Sequence, residues 1–101
     1  MRAVDIQTFE AKAAEATKML KLLANEHRLL VLCRLVAERE MTVGDIAGAV
    51  GLSQSALSQH LAKMRDDGLV ATRRDGQTIY YRLADKNVAR VLTLLKNIFC
   101  P

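Results

Sequence analysis

Residues 42–69, TVGDIAGAVGLSQSALSQHLAKMRDDGL, constrain this chain more than any other stretch. In the first half Val43, Ile46, Ala47 and Val50 recur at i, i+3, i+4 and i+7, the spacing of one helical face. Thr42 in front of them, with Asp45 three residues on, makes a capping-box-like start at the positive end of a helix. Gly51 then supplies a residue that accepts the left-handed backbone of a sharp turn. Ser53 caps a second helix, whose inward stripe is Leu57, Leu61 and Met64. Its opposite face holds Ser55, Ser58, Gln59, Ala62 and Lys63, and no carboxylate before Asp66. A helix meant only for solvation intersperses Glu with Lys. A helix meant for the major groove needs short hydroxyls, amides and little negative charge. The pattern predicts two helices joined by a tight turn, with the second shaped to read DNA. The alternative is a helical hairpin that serves only as core.

Size and charge narrow the choice further. A chain of 101 residues has room for one domain, taken as residues 1–101. Half the residues are hydrophobic, enough for a small core that association would enlarge. A net charge of +4 suits a polyanionic partner. No run of 18 apolar residues suggests a membrane span. Asp5 and Glu10 interrupt any signal-peptide pattern, so a cytoplasmic location is expected. Two cysteines in a reducing compartment are unsuited to a permanent staple. The chain has no Ser/His/Asp set, paired catalytic carboxylates or phosphate-binding glycine loop, so neither an enzyme nor a bound cofactor is expected.

The remaining segments frame that centre. Residues 5–23 are alanine-rich and helix-prone, with Phe9, Ala13, Ala16, Leu20 and Leu23 at spacings of three and four. This helix is weakly hydrophobic in its first half, and is expected to lie against another helix, including one from a second subunit. Asn25 caps a helix over residues 26–39. Its main stripe is read as Leu29, Leu32, Cys33 and Val36, widened by Leu30 and Leu35, which places Cys33 inward or in a crevice. Asp75-Gly76 between two β-prone runs signals a hairpin, with Thr72 expected near Ile79 and Val70 near Tyr81. Arg73, Arg74 and Gln77 stand at its outer end. A hairpin so tipped, directly after a recognition helix, is a wing that reaches phosphates or the minor groove. The alternative is a solvated tip whose arginines touch nothing. Asp85 caps a last helix in which Val88, Val91, Leu92, Leu95, Ile98 and Phe99 form an apolar face that needs a partner surface. First and last helices together suggest a dimer interface. Two-fold symmetry would place the recognition helices roughly 34–36 Å apart, one DNA turn.

The order helix, helix, helix-turn-helix, wing, helix resembles the ArsR/SmtB winged-helix repressors over almost the whole chain. LANEHRLLVLCRL, LSQSALSQHLAKMRDDGLV and RRDGQTIYYRL are the segments that carry the likeness. The resemblance implies a mainly α fold of five helices plus a small β-hairpin wing. It also implies a homodimer on double-stranded operator DNA, released by an inducer. It puts Gln54, Ser55, Ser58, Gln59 and His60 at or beside the DNA; the outer helix face and the wing read above add Lys63, Arg73, Arg74 and Gln77 as expected contacts. By helical geometry His60 leans toward the apolar stripe, so it also reads as a packed histidine.

The family's metal sites are not expected in this chain. Where many members carry two cysteines before the helix-turn-helix, this chain has Thr42 and Gly44, neither a thiolate ligand. A second family site on the last helix retains Asp85, but Lys86, Asn87, Ile98 and Pro101 stand where its other ligands belong, and no tetrahedral zinc set results. His27 and His60 are remote from both. What remains is Cys33 in the second helix and Cys100 after the last. Leu32-Cys33 and Phe99-Cys100-Pro101 resemble the sulfur-sensing SqrR/BigR branch, which implies persulfide or polysulfide as inducer and a disulfide or longer sulfur bridge as the switch. A plain disulfide needs Cα atoms within about 7 Å, a limit that added sulfur atoms relax. Lys96, one turn before Cys100, favours a thiolate there, whereas the helix C-terminus opposes it. Periodicity alone reads Cys33 as a small buried hydrophobe. The alternatives are a peroxide-responsive disulfide switch, an HlyU-like anti-silencing regulator without an inducer, and a helical interaction dimer with no DNA role.

Overall fold

The computed structural model describes residues 3–100, with the side chains of residues 5–100. Pro101, which closes the second cysteine motif, lies outside the described residues. The elements run α1 (Ala3–Leu23), α2 (Glu26–Glu38), β1 (Met41–Thr42), α3 (Val43–Val50), α4 (Gln54–Asp66), β2 (Val70–Asp75), β3 (Thr78–Leu83) and α5 (Lys86–Phe99). This is the five-helix winged helix-turn-helix that the sequence implied.

Local chemistry sets the helix ends. The Asn25 side chain accepts the Arg28 N–H at 3.0 Å, Thr42 Oγ1 that of Asp45 at 3.2 Å, and Ser53 Oγ that of Ala56 at 3.1 Å. Asp85 Oδ1 accepts from both Asn87 and Val88, at 2.8 and 3.2 Å. Each bond satisfies an N–H that the first helical turn leaves without an intrahelical partner. Gly51 takes φ +73° and turns the chain from α3 into α4. α4 closes in a Schellman motif: Leu69 N–H reaches the Met64 carbonyl at 2.9 Å and Gly68 N–H the Arg65 carbonyl at 3.1 Å, with Gly68 at φ +76°.

The core is contiguous. Val31, Leu32 and Leu35 of α2 meet Ile46 and Ala47 of α3, Leu57, Leu61 and Met64 of α4, and Val88 and Leu92 of α5. α2 is the hub, packing on α3, α5 and β3. Its buried side differs from the expected stripe. Val31, Leu32 and Leu35 are the core residues, Leu29 and Val36 are half-buried, and Leu30 and Cys33 are exposed. A helix with apolar residues around most of its circumference does not reveal from its own sequence which arc its neighbours cover. α2 also ends one residue early, at Glu38, because Arg39 takes φ +70° while its N–H still donates to the Leu35 carbonyl at 2.9 Å.

The wing belongs to a three-stranded antiparallel sheet, ordered β1-β3-β2, rather than to an isolated hairpin. Met41 pairs with Tyr81 and Thr42 with Tyr80, so Thr42 is both a strand residue and the cap of α3. The hairpin register is corrected as well: Thr72 pairs with Tyr81, Arg74 with Ile79 and Val70 with Leu83. The two central turn residues are Gly76 and Gln77, and only Gly76 is left-handed, at φ +62°. Glycine first and an ordinary residue second is the type II′ pattern. The two-residue slip keeps every side chain on its expected face.

α1 stands apart. It touches the core through Met19, Leu22 and Leu23 in its last turns. Ile6, Phe9 and Leu20 leave 44–61% of their surface exposed. α5 buries Val88 and Leu92 but leaves Leu94, Ile98 and Phe99 open.

Candidate DNA interface and thiol groove

α4 presents the face expected of it. Gln54, Ser55, Ser58, Gln59 and Lys63 are exposed, opposite the fully buried Leu57, Leu61 and Met64. Gln54 opens the helix and leans back over α3, its amide nitrogen 3.7 Å from where a β-carbon on Gly44 would stand. His60 is half-buried, its ring 5.8 Å from that of His27 and tilted by 46°. It props α4 against the start of α2, a pairing across 33 residues that no local pattern announces. Gln59, His60 and Lys63 share a shallow crevice of about 260 Å³ with Asn25 and Arg28. Arg28 donates to the Leu22 carbonyl at 2.7 Å and pairs with Asp67 at 3.9 Å, tying the α1–α2 junction to the end of α4.

In the wing the three expected contacts separate. Arg73 is committed within the chain: its Nε and Nη2 donate to the two carboxylate oxygens of Glu40 at 2.9 and 3.1 Å. Its guanidinium also lies 4.5 Å from the centre of the Tyr80 ring, its cross-strand partner. The bidentate bond from Arg73 holds the Glu40 carboxyl below the usual glutamate range, and Glu40 in turn raises Arg73. Arg74 and Gln77 are exposed at the tip, and Arg74 has no ion-pair partner among the described residues. A carboxyl lowered on folding contributes above its unfolded pKa, and that contribution is lost as pH falls through the lowered folded value. Glu40→Gln is therefore expected to speed hydrogen exchange of the wing amides at neutral pH. The unsubstituted chain should match that behaviour only in acid below the ordinary glutamate range.

Between α2 and α5 lies a larger, apolar groove of about 610 Å³, lined by Leu29, Leu30, Cys33, Arg34, Ala37, Leu95, Lys96, Phe99 and Cys100. Both cysteines are free and exposed, so Cys33 occupies a crevice wall rather than the core. The groove wall desolvates the Cys33 thiol and raises its pKa; negative charge on Cys100 raises it further, and Lys96 works the other way. The Cys100 N–H closes α5 on the Lys96 carbonyl at 2.7 Å, which places the second thiol at the helix end. Among the described residues no three His, Cys, Asp or Glu side chains gather where a metal ion would be held. No helix among them is long and apolar enough to cross a membrane.

Comparison with known proteins agrees with this geometry. The model of the bacterial regulatory protein arsR family matches residues 25–72. The transcriptional activator HlyU of Vibrio cholerae is 44% identical over 97 residues, covering 96% of this chain and 89% of that protein. The structure of reduced HlyU from Vibrio cholerae superposes with a TM-score of 0.84 at 45% identity, over 94% of this chain and 99% of that one. The transcriptional repressor BigR from Xylella fastidiosa superposes with a TM-score of 0.85 at 37% identity, over 100% of this chain and 99% of that one. With relatives this similar along nearly its full length, the chain belongs to the arsR family: it is a DNA-binding transcriptional regulator, not an enzyme.

Proposed function

We propose that the protein is a homodimeric repressor whose grip on operator DNA is switched by reactive sulfur through Cys33 and Cys100. The observation that supports this most is that the two cysteines, 67 positions apart in sequence, line one groove on two different helices. Thiolate attack on a persulfide moves a sulfur atom onto the first cysteine. The second thiolate then displaces hydrosulfide and closes a disulfide, or a longer bridge if it already carries sulfur itself. The bridge ties α5 to the hub helix α2. The open apolar residues of α1 and α5 supply the dimer face, so a tether on α5 alters how two recognition helices are spaced. That one solved relative is specified as reduced HlyU, and another as the repressor BigR, fits this reading.

The DNA side rests on Gln54, Ser55, Ser58, Gln59 and Lys63 of α4, with His60 as support, and on Arg74 and Gln77 of the wing, where Arg73 sets the wing's base. Gln59→Ala is expected to cost about 1–3 kcal/mol on the specific operator and little on random DNA. Lys63→Ala and Arg74→Ala should weaken both and lower the salt slope by about 1 each. Fluorescence anisotropy titrations across a salt series separate these outcomes. Salt-independent, sequence-blind binding by all variants would remove the DNA assignment. The switch is tested by treating reduced protein separately with polysulfide, peroxide, zinc and arsenite, with intact mass and operator affinity read on the same samples. Added sulfur joining the two cysteines together with lost affinity supports the proposal. Equal bridging and release by peroxide would replace it with a general thiol redox switch.

A further inference from the structure

The crevice between α4 and the start of α2 is a pocket of donors without an acceptor. Asn25, Arg28, Gln59, His60 and Lys63 line about 260 Å³, a space suited to a compact group rather than a large organic ligand. Each of the five side chains has an N–H to donate, two of them are cations, and none is a carboxylate. The Asn25 side-chain oxygen is engaged by the Arg28 N–H at 3.0 Å, so what Asn25 still offers is its NH2. Arg28 is held by the Leu22 carbonyl at 2.7 Å, yet its charge is only partly answered. Asp67 Oδ2 stands 3.9 Å from Nη1, beyond hydrogen-bond range. Among the described residues, neither that oxygen nor the buried Arg28 Nε has a hydrogen-bond partner. Cations and N–H donors converging on one small space select an oxyanion.

Position says which oxyanion. Gln59 and Lys63, one helical turn apart, are exposed on the polar face of α4 and also form one wall of the crevice. The crevice is therefore continuous with the surface that meets DNA. We propose, resting on the reading of α4 as the recognition helix, that it seats one phosphate of the operator backbone in each half-site. α2 then joins the DNA interface through Asn25 and Arg28, with His60 donating from the opposite wall. Such a contact carries no sequence information of its own; it fixes the register in which Gln59 meets base edges. It also puts a DNA contact on the helix that carries Cys33, roughly 8 Å along the axis from Arg28.

The test uses the full-length reduced protein and a duplex that it selects from a randomised pool. Asn25→Asp is the decisive change: Asp caps a helix as well as Asn does, while it puts a carboxylate into the crevice. It is expected to weaken binding about tenfold on selected and random duplexes alike, and to lower the salt slope by about 1. Each phosphate of the selected duplex is then replaced in turn by a neutral methylphosphonate. One position per half-site should cost the unsubstituted protein affinity, and on that duplex alone the Asn25→Asp penalty should vanish. Asn25→Ser keeps the cap and loses the NH2, and should show the same single-position pattern at about threefold. A penalty equal on every duplex is long-range repulsion and overturns the inference. No penalty from either variant, while Lys63→Ala still weakens binding, overturns it and leaves the DNA reading intact; if Lys63→Ala is also silent, both fail. Inorganic phosphate, against chloride at matched ionic strength, is added to the DNA-free protein and followed by amide NMR. Shifts at Asn25 and Arg28 without any DNA penalty would assign the crevice to a free anion and overturn the backbone contact.

Discussion

Operator complexes of Cys33→Ser and Cys100→Ser are expected to survive a polysulfide challenge that releases the unsubstituted protein. Neither side chain lies on α4 or the wing, so starting affinity should remain within twofold or so, as expected of changes remote from an interface. Each substitution removes one end of the bridge. A single remaining thiol still takes up sulfur, but it cannot tie α5 to α2. If modification alone were enough, one of the two variants would still let go. Coupling between distant sites typically amounts to about 1–3 kcal/mol, or about 5–150-fold in affinity, and that is the range of release expected from the unsubstituted protein. Anisotropy on the treated samples, with mass on the same aliquots, reads both halves of the argument. A variant that takes up sulfur at one thiol and still dissociates sinks the bridging mechanism.

Leu32→Ala is expected to be the most damaging single truncation in α2. Leu32 is fully buried on the helix that packs against α3, α5 and β3 together. Removing a buried leucine side chain forfeits its transfer energy and leaves a cavity, together about 2–5 kcal/mol. Domains of this kind hold only about 5–15 kcal/mol in total, so about a third of the margin goes at the middle of both ranges. Urea unfolding at a fixed protein concentration measures it, since subunit association would otherwise shift the midpoint. Leu30→Ser, two positions earlier on the exposed side, is the control and should stay within about 0.5 kcal/mol. A loss below about 1 kcal/mol for Leu32→Ala would mean that the site closes around the missing atoms, contrary to the close packing of cores.

Short-range chemistry was the legible part of the chain. Asn25, Thr42, Ser53 and Asp85 act over three residues or fewer, and each caps the helix it was expected to cap. The inward stripe of α4 was equally plain, because a helix with one polar and one apolar face leaves a single choice of side. α2 offers no such choice: its spacing does not single out the buried Val31, and of the two places it allows Cys33, inward or in a crevice, the structure takes the crevice. The hairpin register depended on whether Asp75-Gly76 or Gly76-Gln77 occupies the centre of the turn, which glycine composition alone does not decide. Partners distant in sequence were beyond reach altogether: Arg73 with Glu40 and His60 with His27 are each 33 positions apart. The sharing of a groove by Cys33 and Cys100 was anticipated only through the family resemblance.

The attachments of α2 carry a mechanical consequence. Its first turn holds Arg28, which grips Asp67 behind the recognition helix. Just past its last turn stands Glu40, which grips Arg73 at the root of the wing. Cys33 lies between these two grips, on a rod about 20 Å long. One contact sits in the first turn of α2 and the other two residues past its end, so a displacement of α2 is expected to reach the end of α4 and the wing together. A change that moved α2 would then be expected to alter the α4 end and the wing in concert, whichever of them it touched first.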